Sequence, residues 1–116
     1  YLKHSLVSVA AAPKNDTPLV VSSTLAIDHG LRSEAKVIAI CKALGADRYI
    51  NSMGGQALYS RDTFAAEGIE LAFMRTHVRE YQQFGQPFVP ALSVLDVMMF
   101  NSPDAIVRML GDYELV

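Results

Sequence analysis

The stretch SEAKVIAICKALGADRYIN, residues 33–51, most narrows what this chain can fold into. Ser33 is placed to cap a helix, Glu34 suits the helix's positive end, and Gly45 is placed to stop it in the left-handed conformation. Val37, Ile40, Cys41 and Leu44 fall at i, i+3, i+4 and i+7, which predicts one apolar stripe. Only two residues separate Gly45 from RYIN, which reads as a strand. Upstream, PLVVSST (residues 18–24) is a β-branched run that turns polar, and it is predicted as a buried strand with Ser22, Ser23 and Thr24 at its C-terminal edge. Strand, helix and strand over about thirty residues make a βαβ unit, whose crossover is right-handed in nearly every case.

The same reading extends along the chain. The first dozen residues predict a helix with Leu2, Leu6 and Val9 on one face, broken by KNDTP. Ser60 caps a short helix over RDTFAAE, and Gly68 ends it. IELAFM alternates, with Ile69, Leu71 and Phe73 on one face, and predicts a third strand. From Arg75 to Ala91 no period holds, and loops longer than about 12 residues are usually functional or disordered. Ser93 and Asp96 resemble a capping box opening a helix over LSVLDVMMF, with Asn101 at its end. Ser102, Pro103 and Asp104 open the last helix with a cap, a proline at the first position and an acid near the dipole. The expected fold class is α/β: βαβ units of three-layer type, with a small, mostly parallel sheet flanked by helices and two C-terminal helices. Three strands are few for a sheet covered on both faces, so further strands are expected from an N-terminal half or from a partner.

Composition removes several function classes. The chain has 116 residues, the length of one domain, with 51% hydrophobic and 19% charged residues, a globular balance. The net charge of −2 comes from 10 basic and 12 acidic residues with no basic stripe, so no nucleic-acid partner is expected. No apolar run approaches the roughly 18 residues of a membrane span. The start lacks a basic region leading an apolar core, so no signal peptide is expected. The single cysteine, Cys41, excludes an internal disulfide framework and fits a reducing compartment; its setting predicts a buried helix residue. Together these predict a cytoplasmic protein. The chain begins at Tyr1, which suggests a fragment.

Two regions carry candidate chemistry. Asn51-Ser52-Met53-Gly54-Gly55 lies after a predicted parallel strand, the side of an α/β sheet where ligands bind. Glycines there let backbone N–H groups approach an anion. The alternative is a βα turn that needs positive φ at Gly54 or Gly55, and on position alone the two readings balance. The pattern is neither G-x-G-x-x-G nor a Walker loop, so no dinucleotide or other cofactor is expected. Ser22 and Ser23 share that edge, but no G-x-S-x-G elbow accompanies them, which disfavours a nucleophilic serine. His4, His29 and His77 show no metal-ligand spacing, and no metal is expected. The long loop is the richer region. His77, Arg79, Glu80, Tyr81 and Gln82 combine a base, a cation, a carboxylate and an aromatic, and Phe88 lies between Pro87 and Pro90. Aromatic rings with carboxylate and amide neighbours suit a sugar or nucleoside. Phe84 and Phe88 also suit a loop folding its rings onto its own domain, and Asp96 is explained by capping.

The segments VSSTLAI, ICKALGADRYIN, GGQALY, FAAEGIELAFM and EYQQFGQPFVPALSVLDVMMFNSPDAI occur in this order and spacing from about Val20 to the end. Together they resemble the C-terminal half of the WbqC-like proteins of bacterial surface-polysaccharide gene clusters. One stretch departs from the pattern: DHGLRSEAK stands where many members carry a Gly-Lys-x-x-Glu-Arg-like run, so Glu34 and Lys36 have no clear equivalents. Members also carry an N-terminal half opening on a His-Gln-Pro-type motif. The resemblance therefore implies that residues 1–116 are a single α/β domain forming the C-terminal half of a longer protein.

The resemblance further implies a transferase of O-antigen or surface-polysaccharide biosynthesis, with glycine or amino-acyl transfer to a sugar as the proposed reaction. A nucleotide- or lipid-linked sugar would be its small-molecule partner, and a second copy or the N-terminal half its protein partner. The residues themselves supply the candidate site: His77 or Glu80 as general base, with Ser22, Ser23, Asn51, Gly54, Gly55, Tyr59, Arg79 and Tyr81 binding substrate. The alternative is a non-catalytic module that binds a sugar or a partner.

Overall fold

The computed structural model describes residues 2–11, 16–85 and 87–116. Its elements in chain order are α1 (Leu2–Ala11), a 3-10 turn (Ser22–Thr24), α2 (Ser33–Leu44), β1 (Arg48–Ser52), a 3-10 segment (Met53–Leu58) and α3 (Arg61–Ala66). β2 (Glu70–Thr76), α4 (Val94–Phe100), α5 (Pro103–Met109) and β3 (Tyr113–Leu115) follow. Two compact units emerge. One holds Val20–Arg75 with Glu114–Val116; the other holds the described residues up to Leu19 with Thr76–Tyr113.

The first of these is the α/β unit. β1 and β2 pair in parallel, with Arg48 opposite Glu70 and Asn51 opposite Phe73. The 3-10 segment and α3 form the crossover between them, the second of two expected βαβ units; the first does not form, because among the described residues no strand precedes α2. β3 completes the sheet in the order β1-β2-β3. Phe73 and Val116 exchange both backbone hydrogen bonds, at 2.8 and 3.0 Å, the mark of an antiparallel pair. The sheet is therefore mixed, with the α/β class and the two C-terminal helices as expected. Each pairing carries a cross-strand ion pair, Arg48–Glu70 and Arg75–Glu114, both at 2.7 Å. Exposed pairs of this kind contribute about 0–1 kcal/mol each, so they tune register more than stability.

Burial decides the packing. Ile69, Leu71 and Phe73 share one face and are all buried, as their alternation predicts. They meet Ile38 and Cys41 of α2 and Phe64 of α3, and Tyr49, Tyr59 and Val116 pack around them. Phe64 is 0% exposed. Its ring stacks on Tyr49 at 5.6 Å and meets Tyr59 edge-on at 6.0 Å. Burial pushes the Cys41 thiol above its ordinary range, as suits a packed core residue.

Three local expectations change. The predicted strand over 18–24 does not form. Thr24 folds back, its N–H and its hydroxyl both reaching the Val21 carbonyl at 3.0 and 2.8 Å. Hydroxyl side chains favour such local bonds over a ladder, and β1 ends the sheet on that side, so Val20 and Val21 stay exposed. Ser33 does not cap α2. Arg32 occupies that position and Ser33 takes φ 46°, in the left-handed region, while Glu34 accepts the Ser60 N–H at 2.6 Å. The buried face of α2 is centred on Ile38 and Cys41, which turns Leu44 outwards. Gly45, by contrast, ends the helix at φ 64° as expected.

The second unit contains α1, the long loop, α4 and α5. α4 and α5 pack together, and among the described residues of this unit Ile106 is the buried one. Ser102 caps α5 by accepting the Ala105 N–H at 3.3 Å, with Pro103 in the first turn. In α1, Leu6 is largely exposed; the Leu2 side chain and part of the KNDTP break lie outside the described residues. Among the described residues no helix is long and apolar enough to cross a membrane.

Truncating a fully buried aromatic typically costs about 3–5 kcal/mol, whereas exposed sites change stability by about 0.5 kcal/mol. Urea titration is expected to show Phe64→Ala losing stability on the first scale and Leu44→Ala on the second.

Candidate functional site

The turn after β1 is built on a close approach. A Cβ at Gly55 would overlap Asn51 Nδ2 and stand 3.0 Å from its Cγ. The Ser52 N–H donates to Asn51 Oδ1 at 2.8 Å, which turns the amide nitrogen towards Gly55. Gly54 faces open space. Neither glycine has positive φ; of the described glycines Gly45 and Gly68 do. The alternative of a positive-φ turn is thus excluded. Gly55 is there because Asn51 covers it, and Gly54 has no such requirement.

Tyr59 also lies against Gly55, with Cε2 3.4 Å from where that Cβ would stand, and its ring meets Tyr49 edge-on at 5.8 Å. Burial first, and then the hydrogen-bonded Tyr59, raise the Tyr49 phenol above its ordinary range. The structure therefore gathers Asn51, Gly55 and Tyr59. Ser22 and Ser23 sit exposed in their 3-10 turn, and among the described residues no hydrogen bond links them to that group.

In the other unit the long loop is ordered by one carboxylate. Asp96 Oδ2 accepts the Tyr81 hydroxyl at 2.6 Å and the Gln83 side-chain amide at 2.9 Å. Gln83 also brackets the Val89 backbone, donating to its carbonyl at 3.1 Å and accepting its N–H at 2.9 Å. Tyr81 and Phe88 meet edge-to-face, with centroids 5.0 Å apart and planes at 74°. Ser93 caps α4 through the Leu95 N–H at 3.2 Å, so the expected capping box is only half formed. Asp96 faces the loop instead, because two side-chain donors there reach its oxygen.

Glu80, Tyr81, Gln82 and Phe88 line an open recess of about 420 Å³. Arg79 Nη2 donates to Asp112 Oδ1 at 2.6 Å, while Oδ2 is held by the charge of Nε and not by an aligned hydrogen bond. His77 is tied by its backbone N–H to the Asp112 carbonyl at 2.8 Å, and its side chain is exposed. Phe84 folds onto Phe100, at 4.6 Å, yet remains 93% exposed. Sequence reasoning missed Gln83, Asp96 and Asp112 as organisers. The only signal available was the Tyr-x-Gln spacing, which puts two donors on one side of an extended segment.

A family model described as WbqC-like protein family matches residues 2–108. The chain belongs to the WbqC-like family. No curated protein and no solved structure matches it. The family match takes in α1 as well as the segments from Val20 into α5, so it covers most of both units of this WbqC-like chain and leaves β3 outside. Among the described residues, no group of three or more His, Cys, Asp or Glu is placed to hold a metal.

Two expectations follow from the geometry of this WbqC-like chain. Gly55→Ala must displace Asn51, and overpacking of this kind costs about 1–3 kcal/mol. Gly54→Ala meets open space and stiffens the unfolded chain, so it is neutral or stabilising by up to about 1 kcal/mol. Urea titration of the two variants should give opposite signs. The hydrogen bond to Asp96 raises the Tyr81 phenol above its ordinary value. A raised folded value means that the stabilisation is fully present below the ordinary tyrosine value and is lost as pH rises through the folded one. Wild type is expected to melt above Tyr81→Phe from pH 7 to 9, with the gap closing as pH passes the tyrosine range.

Proposed function

We propose that this WbqC-like chain serves a transferase of bacterial O-antigen or surface-polysaccharide biosynthesis that moves a glycyl or other amino-acyl group onto a sugar. Family membership supports the pathway. The observation that carries the reaction is Glu80, on the rim of the recess, with no side-chain partner among the described residues. A carboxylate free to accept a proton beside a ligand-sized recess is what a general base requires. His77, exposed three residues earlier on the same loop, is the second candidate base.

In this reading the base takes the proton from a sugar hydroxyl or amine. That oxygen or nitrogen bonds to the acyl carbon of an activated amino-acyl donor, and the donor's leaving group departs with its electron pair. Tyr81 lines the acceptor side, and Arg79 stands next to it in the loop, paired with Asp112. Asn51, Gly54, Gly55, Tyr59, Ser22 and Ser23 belong to the α/β unit and remain candidate ligand contacts of that unit by itself, with no part in this transfer step. The sugar would be nucleotide- or lipid-linked outside the recess, and the reaction would take place in the cytoplasm.

A binding module without catalysis is the second reading. It is favoured by the absence, among the described residues, of any side chain orienting His77 or Glu80, since a catalytic base is normally held by a neighbour. The two readings separate on turnover. Removal of a general base typically costs about 10²–10⁴-fold. Glu80→Ala or His77→Ala is expected to lower kcat on that scale in a transfer assay with an activated glycyl donor and a sugar acceptor. Unchanged kcat in both variants removes the base assignment.

A further inference from the structure

We infer that the recess of the long loop is a platform for a neutral sugar ring, with Phe88 as its aromatic floor and Asp96 as the residue that positions it. This assignment builds on the acceptor reading above and narrows it to one ring chemistry and two residues not assigned there.

The shape of the recess selects the ligand. Tyr81 and Phe88 stand at 74°, so they form a corner, not a slot between parallel faces. A flat nucleobase gains most from parallel faces, whereas a pyranose needs one. The faces of aromatic rings are negative and attract the slightly positive C–H face of a sugar. The sugar's hydroxyls then reach outwards, where Glu80 and Gln82 supply a carboxylate and an amide. The recess volume of about 420 Å³ falls in the range of small-ligand sites.

Charge points the same way. Among the described residues that line the recess, Glu80 is the one carboxylate and there is no cation. The neighbouring Arg79 is already held by Asp112 through both carboxylate oxygens. Phosphate groups would meet Glu80 without a counter-charge, so a neutral ring is favoured over a nucleotide.

Asp96 explains why the corner keeps its angle. One oxygen accepts from Tyr81 and from Gln83, and Gln83 grips both backbone groups of Val89, the neighbour of Phe88. A single carboxylate oxygen thereby sets both rings. The Tyr81 hydroxyl is spent on Asp96, so Tyr81 offers the ligand its ring and not a donor.

The test is an NMR titration of the whole chain, following aromatic ring protons. The probes are methyl glucopyranoside, methyl N-acetylglucosaminide, UDP-glucose, uridine and uridine monophosphate. The neutral glycosides are expected to shift the Tyr81 and Phe88 rings, UDP-glucose to bind more weakly than the methyl glycoside, and uridine and its monophosphate to leave both rings unmoved. Phe88→Ala and Asp96→Ala are each expected to raise the glycoside Kd by tenfold or more, about 1.4 kcal/mol. Asp96→Asn keeps an acceptor oxygen and is expected to stay within about threefold of wild type, under 1 kcal/mol. Phe84→Ala, which removes an exposed ring outside the recess, should leave Kd unchanged, and circular dichroism confirms that each variant is folded. Uridine shifting the rings, silence of both neutral glycosides, or equal losses from Phe84→Ala and Phe88→Ala would overturn the platform. Glycoside binding without any detectable transfer leaves the platform standing and removes the transferase reading. Transfer with an unchanged acceptor KM in Phe88→Ala does the reverse.

Discussion

Burial of Phe64 is the contact on which the α/β unit depends. A parallel pair such as β1 and β2 cannot be closed by a tight turn and needs a crossover that packs back on the sheet. Here the crossover helix is only six residues long, too short to be stable by itself. It is held because Phe64 is removed wholly from water between Tyr49, Tyr59 and the core of α2 and β2. The path from β1 to that helix must then be short, and the chain covers it in a 3-10 segment that passes beneath Asn51. Gly55 follows from this constraint. It is a packing glycine, whose missing methyl makes room for a neighbour's amide.

The second unit is organised by polar contacts where the first is organised by apolar burial. Its loop has no regular structure through the recess, yet Asp96, Gln83 and Tyr81 supply four hydrogen bonds within a few residues. Such an arrangement holds side chains in place while leaving them in contact with solvent, which is where ligand chemistry happens. A hydrophobic core would hold the rings as firmly and hide them. The division between an apolar unit and a polar loop is therefore also a division between scaffold and candidate site.

Much of this was readable from local patterns. Gly45 and Gly68 end helices with positive φ, Ser60 and Ser102 cap as their spacing indicates, and Ile69, Leu71 and Phe73 are buried as their alternation requires. Each of these depends on neighbours in sequence. The failures depend on neighbours in space. Val20 and Val21 have the composition of a strand, but Thr24 turns back onto the Val21 carbonyl, and the free edge of β1 stays unpaired among the described residues. Ser33 has the character of a cap, yet Glu34 is drawn to the Ser60 N–H and the helix begins around a left-handed serine. Asp96 has the position of a capping-box acid, and two donors of the loop take its oxygen first.

By itself, the sequence determined the α/β class, the helices and most of their ends, strands over RYIN (48–51) and IELAFM (69–74), and the irregular loop as the place to look for chemistry. These follow from periodicity, capping and turn chemistry, all of which act over a few residues. The tertiary structure alone decided that Gly55 serves packing and not a left-handed turn, that β3 pairs antiparallel to β2, and that Asp96 sets the Tyr81–Phe88 corner. Those facts arise from groups 4 to more than 40 positions apart in the chain, as when Asn51 fills the space a Gly55 side chain would need and Phe73 hydrogen-bonds Val116. Local sequence carries no record of such meetings, because their energies are set by what the rest of the chain places opposite.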